Sequence, residues 1–180
     1  GRTYFERKDF DHAISDLNVA INIRPDYIDA FNVRGLAYNA HGDSDRAIAD
    51  FDQAIRIDPK GAAAYANRGE AYQRKGDFDR AMADFDAAIK ANPKYPGAYT
   101  SRGRVFQDKN DHARAIADFT QALNVDPNNA EALNLRGQSH AKLAEFDKAF
   151  TDFDRALKLS PNYADAFLNR GMAAAERHNF

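Results

Sequence analysis

Along residues 28–61 the apolar and small side chains fall at Ala30, Phe31, Gly35 and Tyr38, and again at Ala47, Phe51, Ala54 and Ile55. Steps of three and four place each group on one stripe of an α-helix, and nothing in the stretch alternates as a strand would. Between the two stripes lies Gly42-Asp43-Ser44-Asp45. Gly42 suits a left-handed helix C-cap, and Asp43 or Ser44 can accept hydrogen bonds from the orphan N–H groups of the next helix. Pro59 follows the second stripe and stops it, because proline has no N–H to donate inside a helix. The segment predicts an antiparallel helix pair.

That pair recurs. Pro25, Pro59, Pro93, Pro127 and Pro161 stand 34 residues apart, with only Pro96 outside the series. Units of this length cannot bury their own apolar faces and do so by stacking. Complete units are expected at 28–61, 62–95, 96–129 and 130–163, with a partial unit at 1–27 and one terminal helix at 164–180. The expectation is one all-α array over 1–180 of about eleven helices, the first truncated. Neither end meets a unit boundary, so end-to-end contacts and a larger parent protein are both expected alternatives.

Columns read at the 34-residue step show where packing is tight. Alanine holds three of them: Ala30, Ala64, Ala98, Ala132, Ala166; Ala13, Ala47, Ala81, Ala115, Ala149; and Ala20, Ala54, Ala88, Ala122, Ala156. Gly35, Gly69, Gly103, Gly137 and Gly171 sit mid-helix, where glycine costs about 1 kcal/mol against alanine. Close backbone approach is the expected reason, with Phe51, Phe85, Phe119 and Phe153 filling the space beside them.

Gly35-x-x-Tyr38, Ala47-x-x-x-Phe51-x-x-Ala54 and Pro59, repeated in phase, resemble the tetratricopeptide repeat over the whole chain. The resemblance implies a right-handed superhelical solenoid of antiparallel helix pairs. It also implies a concave groove, lined by the first helix of each unit, that binds a peptide or partner protein. The groove positions map onto Asn32, Asn39 and Asn67, then onto Glu70 and Arg74. Further along they map onto Thr100, Arg104 and Gln107, and then onto Glu131, Asn134, Gln138 and Lys142. This lining is polar and of mixed charge, suited to hydrogen bonds with an extended peptide backbone. A lysine–asparagine carboxylate clamp is missing, and an asparagine ladder is partial: Val33, Asn67, Ser101, Leu135 and Asn169.

One departure from the family pattern is systematic. Arg34, Arg68, Arg102, Arg136 and Arg170 stand where leucine is usual, in phase with Asp16, Asp50, Asp84, Asp118 and Asp152. The expected reading is a ladder of partly buried ion pairs that fixes stacking register, with each arginine flanked by two aspartates: Asp50 follows Arg34 by 16 residues within a unit, and cross-unit pairs run from Asp16–Arg34 to Asp152–Arg170. The alternative is an arginine row for an acidic ligand.

Composition narrows the chemistry. A formal net charge of −2 with interspersed signs gives no pull toward nucleic acid or an anionic membrane. Cysteine is absent, which excludes disulfides and thiolate zinc sites. No apolar run approaches the ~20 residues of a membrane span, and no signal peptide opens the chain. The chain reads as soluble; its compartment is open, with the cytoplasm favoured. Among His12, His41, His112, His140 and His178 no two stand four apart, and His140 occupies the tyrosine column as a packing substitute. Asp9/Asp11, Asp43/Asp45 and Asp77/Asp79 lack the twelve-residue calcium loop and read as helix caps. Phosphate-binding and nucleophile motifs are missing. No cofactor, metal or catalytic residue is assigned. The leading function is a non-catalytic scaffold binding a peptide or protein in the groove; the alternative is a structural module that self-associates through its incomplete ends.

Overall fold

The computed structural model describes residues 1–178, which form eleven α-helices and no strand. The chain divides into two compact units, Gly1–Pro93 and Lys94–Phe180. The first holds α1 (Arg2–Glu6), α2 (Phe10–Ile23), α3 (Ile28–Ala40), α4 (Ser44–Ile57), α5 (Ala62–Arg74) and α6 (Phe78–Ala91). The second holds α7 (Pro96–Asp108), α8 (His112–Val125), α9 (Ala130–Lys142), α10 (Phe146–Leu159) and α11 (Ala164–His178). Pro96 occupies the first turn of α7, where its missing N–H has no partner to lose.

Within each unit every helix packs on its sequence neighbour, and successive first helices also touch: α1 with α3, α3 with α5, α7 with α9, α9 with α11. The alanine columns are the contact points. Ala13, Ala47, Ala81, Ala115 and Ala149 are fully buried, as are Ala54, Ala88, Ala122 and Ala156. A Cβ built on Gly35, Gly69, Gly103 or Gly137 would stand 2.6–2.7 Å from the ring of Phe51, Phe85, Phe119 or Phe153, all fully buried. Gly171 differs: a Cβ there meets nothing within 4 Å.

The turns repeat as well. Residues 8, 42, 76, 110 and 144 all take positive φ, at Lys8 (60°), Gly42 (89°), Gly76 (77°), Asn110 (57°) and Ala144 (57°). Glycine enters this left-handed region freely; alanine does so at a cost of about 1–2 kcal/mol. Asp9, Asp43, Asp77 and Asp111 then cap the following helix by accepting from the N–H three residues on. Ser44, the other cap candidate, instead donates from Oγ to Asn39 Oδ1 at 3.1 Å. The cap carboxylates at Asp43, Asp77 and Asp111 also take Nε of Arg46, Arg80 and Arg114 at 2.5 Å. Those guanidinium groups lie 4.4–4.6 Å from the rings of Tyr38, Tyr72 and Phe106.

The fifth turn replaces all three members of that arrangement. Glu145 stands at the cap without a cap hydrogen bond and receives Lys148 Nζ at 2.9 Å. Its other oxygen lies 2.6 Å from His140 Nδ1. His140 is therefore a buried hydrogen-bonding partner, more than the packing substitute its column suggested.

The arginine ladder is present in its within-unit register. Within each helix pair Nε and Nη2 of Arg34, Arg68, Arg102 and Arg136 donate to both oxygens of Asp50, Asp84, Asp118 and Asp152 at 2.6–2.8 Å. The expected cross-pairs are replaced. Nη1 reaches Asn18 from Arg34, Asp52 from Arg68, Thr120 from Arg136 and Asp154 from Arg170. Each acceptor lies two residues beyond the aspartate column, about 200° further round the helix, and so faces the next first helix. The four arginines are 17–22% exposed and their aspartates 4–7%, which makes the ladder a packing element rather than an open row for an acidic ligand. The aspartate hydrogen bonds hold Arg34 and Arg68 above the usual guanidinium range.

Candidate binding face on the first helices

In the first unit the face carries Asn32 and Asn39 from α3 and Asn67, Glu70 and Arg74 from α5. Asn39 is buried, and its carbonyl accepts from Arg74 Nη1 at 3.4 Å, which joins two successive first helices. Asn32 is half-buried, with its Oδ1 shielded and unbonded. Asn67 and Glu70 are half-buried, and Arg74 is exposed.

In the second unit the face is built from α7, α9 and α11, and most of its polar groups bridge one helix to the next. Gln107 Nε2 donates to Leu135 O at 3.0 Å and to Ser139 Oγ at 2.9 Å. Arg104 pairs with Glu131, and Lys142 Nζ lies 3.5 Å from Glu176. Asn134 is buried and accepts on Oδ1 from Asn169 Nδ2 at 3.0 Å. Its own amide lies 3.4 Å from Tyr163 OH, and burial pushes that phenol above its ordinary value. Thr100, also buried, returns its hydroxyl proton to Pro96 O at 3.1 Å and presents little to a ligand. Gln138 is half-buried, and its side chain makes no hydrogen bond among the described residues.

A cavity of about 450 Å³ opens where these helices converge. Gln107, Gln138 and Lys142 line it, with Asn169, Met172 and Glu176 from α11. Phe153 and Ala173 give it an apolar floor, and His112 closes one side. It therefore offers amides, two opposite charges and an apolar base, the equipment to seat one side chain and hydrogen-bond its backbone. Asn169 belongs to the partial asparagine ladder, whereas Met172 and Glu176 were missed at the sequence level although the columns contain them. Met172 lies one 34-residue repeat beyond Gln138, and Glu176 one repeat beyond Lys142. Among the described residues no group of three or more histidine, aspartate or glutamate side chains could hold a metal ion. No described helix is long and apolar enough to cross a membrane.

Residues 32–96, 100–164 and 135–180 match the family described as tetratricopeptide repeat, and residues 1–42 match a second signature described as TPR repeat. The chain belongs to the tetratricopeptide repeat family. Tetratricopeptide repeats are in general non-catalytic protein-interaction scaffolds. No curated protein sequence matches it. Among solved structures it is similar to a thermophilic TPR protein of Thermus thermophilus, with TM-score 0.81 and 19% identity over 97% of this chain and 95% of that one. MamA is similar at TM-score 0.73 and 23% identity, over 90% of this chain and 95% of that one. YrrB, titled a TPR protein with an unusual peptide-binding site, is similar at TM-score 0.69 and 24% identity, over 91% of this chain and 84% of that one. At these identities the likeness concerns the tetratricopeptide repeat fold.

Proposed function

We propose that the chain is a recruitment module whose second unit binds a peptide segment of a partner protein against α7, α9 and α11. The cavity lined by Gln107, Gln138, Lys142, Asn169, Met172 and Glu176 carries the reading. It is concave, and a side chain enters it without displacing a buried core residue. Gln138, with no internal hydrogen bond, is the residue assigned to the ligand backbone. Arg104–Glu131 and Lys142–Glu176 frame the face with opposite charges, which favours a ligand of mixed or low net charge over a polyanion. The peptide-binding description of YrrB, a relative in fold, is consistent with this assignment.

The test is selection of peptides from a displayed library on the intact chain, followed by affinity measurement on variants. Gln138→Arg fills the cavity mouth from a half-buried position and is expected to weaken selected peptides at least about tenfold. Arg46→Ala, in the first unit and outside the cavity, is the control and is expected to change little. Selected peptides that bind Gln138→Arg as tightly as the parent chain would refute the assignment.

A further inference from the structure

The cavity in the second unit offers hydrogen-bond acceptors whose direction is set from within the protein. Gln107 spends both Nε2 hydrogens internally, one on Leu135 O at 3.0 Å and one on Ser139 Oγ at 2.9 Å. Leu135 O can only accept, so the amide cannot be turned round. Asn169 likewise donates from Nδ2 to Asn134 Oδ1 at 3.0 Å. The oxygen left on each amide, Gln107 Oε1 and Asn169 Oδ1, has no partner and is not shielded among the described residues. An amide oxygen accepts and never donates.

The charges have the same sense. Asp108 and Glu176 line the cavity against one ammonium, Lys142. Lys142 Nζ stands 3.5 Å from Glu176, longer than the ~2.7–2.9 Å of a charge-assisted hydrogen bond, so the carboxylate keeps room for a closer donor. Both of these side chains are about half-exposed and can adjust. His112 completes the wall, with its Nδ1 shielded and unbonded. Met172, 51% exposed, and Ala141 add an apolar stretch beside the polar atoms.

We infer that the side chain seated in this cavity is an arginine, carried by the peptide that the proposed function places there, on which this assignment rests. A guanidinium has five N–H donors in a planar fork and no acceptor. They match Gln107 Oε1 from α7 and Asn169 Oδ1 and the Glu176 carboxylate from α11. The methylene stem lies along Met172 and Ala141. The added charge balances the two carboxylates of the lining against Lys142. A carboxylate side chain would meet these oxygens with no proton to offer, and an apolar one would bury them unpaired. A lysine ammonium is a compact point charge and spans separated acceptors less well than the fork.

Four probes share one host, acetyl-Gly-Ser-Ala-X-Ala-Ser-Gly-amide, with arginine, citrulline, glutamate or leucine at X. Citrulline keeps the shape of arginine and replaces its guanidinium by a neutral urea. Binding to the intact chain is followed by NMR in the side-chain amides of Gln107, Gln138 and Asn169. The arginine peptide should shift them saturably and bind at least about fivefold tighter than the citrulline peptide. Glu176→Gln should weaken the arginine peptide at least about fivefold and leave the citrulline peptide unchanged, a charge-selective loss that a folding defect would not give. The proposal is overturned if the citrulline, glutamate or leucine peptide moves these amides with the same affinity as the arginine peptide, or if Glu176→Gln leaves the preference for arginine intact; peptide binding at the cavity then still stands. If all four leave the amides unmoved up to about 10 mM while a library-selected peptide moves them, the arginine assignment falls alone. If library-selected peptides leave them unmoved as well, the proposed function falls with it.

Discussion

Replacing Gly103 and Gly171 by alanine, one at a time, separates helix propensity from packing inside a single unit. Both positions are mid-helix in the second unit, so both substitutions gain about 1 kcal/mol of propensity. At Gly103 the new Cβ would stand 2.6 Å from Cε1 of Phe119, with two further ring atoms at 3.0 Å. Carbon atoms rest at about 3.5–4.0 Å, so the ring must retreat by roughly 1 Å. Phe119 is fully buried among fully buried alanines, and a close-packed interior has no room to give. Overpacking of this kind costs about 1–3 kcal/mol, which leaves Gly103→Ala neutral to about 2 kcal/mol destabilised. At Gly171 the Cβ meets nothing, so the propensity gain stands alone. Urea unfolding followed by circular dichroism at 222 nm should therefore separate the two variants by about 1–3 kcal/mol, with Gly171→Ala at the higher midpoint. Equal shifts of the same sign would refute the close-approach account of the glycine column.

Three further outcomes follow from the repeat geometry. Ala144→Gly removes a left-handed alanine and should stabilise by about 1 kcal/mol, while Gly76→Ala should lose a similar amount; thermal melts of both check this. A double-mutant cycle on Arg136 and Asp152 should give a coupling of about 2–3 kcal/mol, as for a shielded charged hydrogen bond, while Arg104 and Glu131, about half-exposed, should give under about 1 kcal/mol. For pH, hydrogen bonds from the Arg46, Arg80 and Arg114 backbone and side chains lower Asp43, Asp77 and Asp111. A carboxyl lowered in the folded state stabilises above its unfolded value near 3.9, and that contribution is lost as pH falls through the lower folded value. Melting temperature should be flat across this source of stability from pH 7 to about 5 and fall below about 4. The triple Asp→Asn variant, which keeps capping oxygens without titration, should show a shallower acid loss.

The helix pairs, their caps and the glycine–phenylalanine contacts were readable because each depends on residue type at a fixed spacing. Gly35 and Phe51 announce a close approach in the sequence itself, since only a crowded site keeps a mid-helix glycine. Other features depend on rotation and adjacency, which no single residue type encodes. Asp50 and Asp52 are chemically the same, and only the roughly 200° between them decides which meets Arg34 and which meets Arg68. Ala144 looks like any helical alanine until the turn places it at φ 57°. Gln107 and Lys142 read as ligand-facing amide and charge, yet they reach Ser139 and Glu176 once neighbouring first helices lie side by side. The cavity itself emerges where three such helices meet α8 and α10, and Asn169, Met172, Ala173 and Glu176 of its lining come from α11.

Peptide binding on the first helices of the second unit is open to an amide-NMR titration of the intact chain with a library-selected peptide. Saturable shifts are expected, concentrated in the side-chain amides of Gln107, Gln138 and Asn169 and the backbone around Lys142. Saturable shifts confined to α8 and α10, with those amides unmoved, would contradict it.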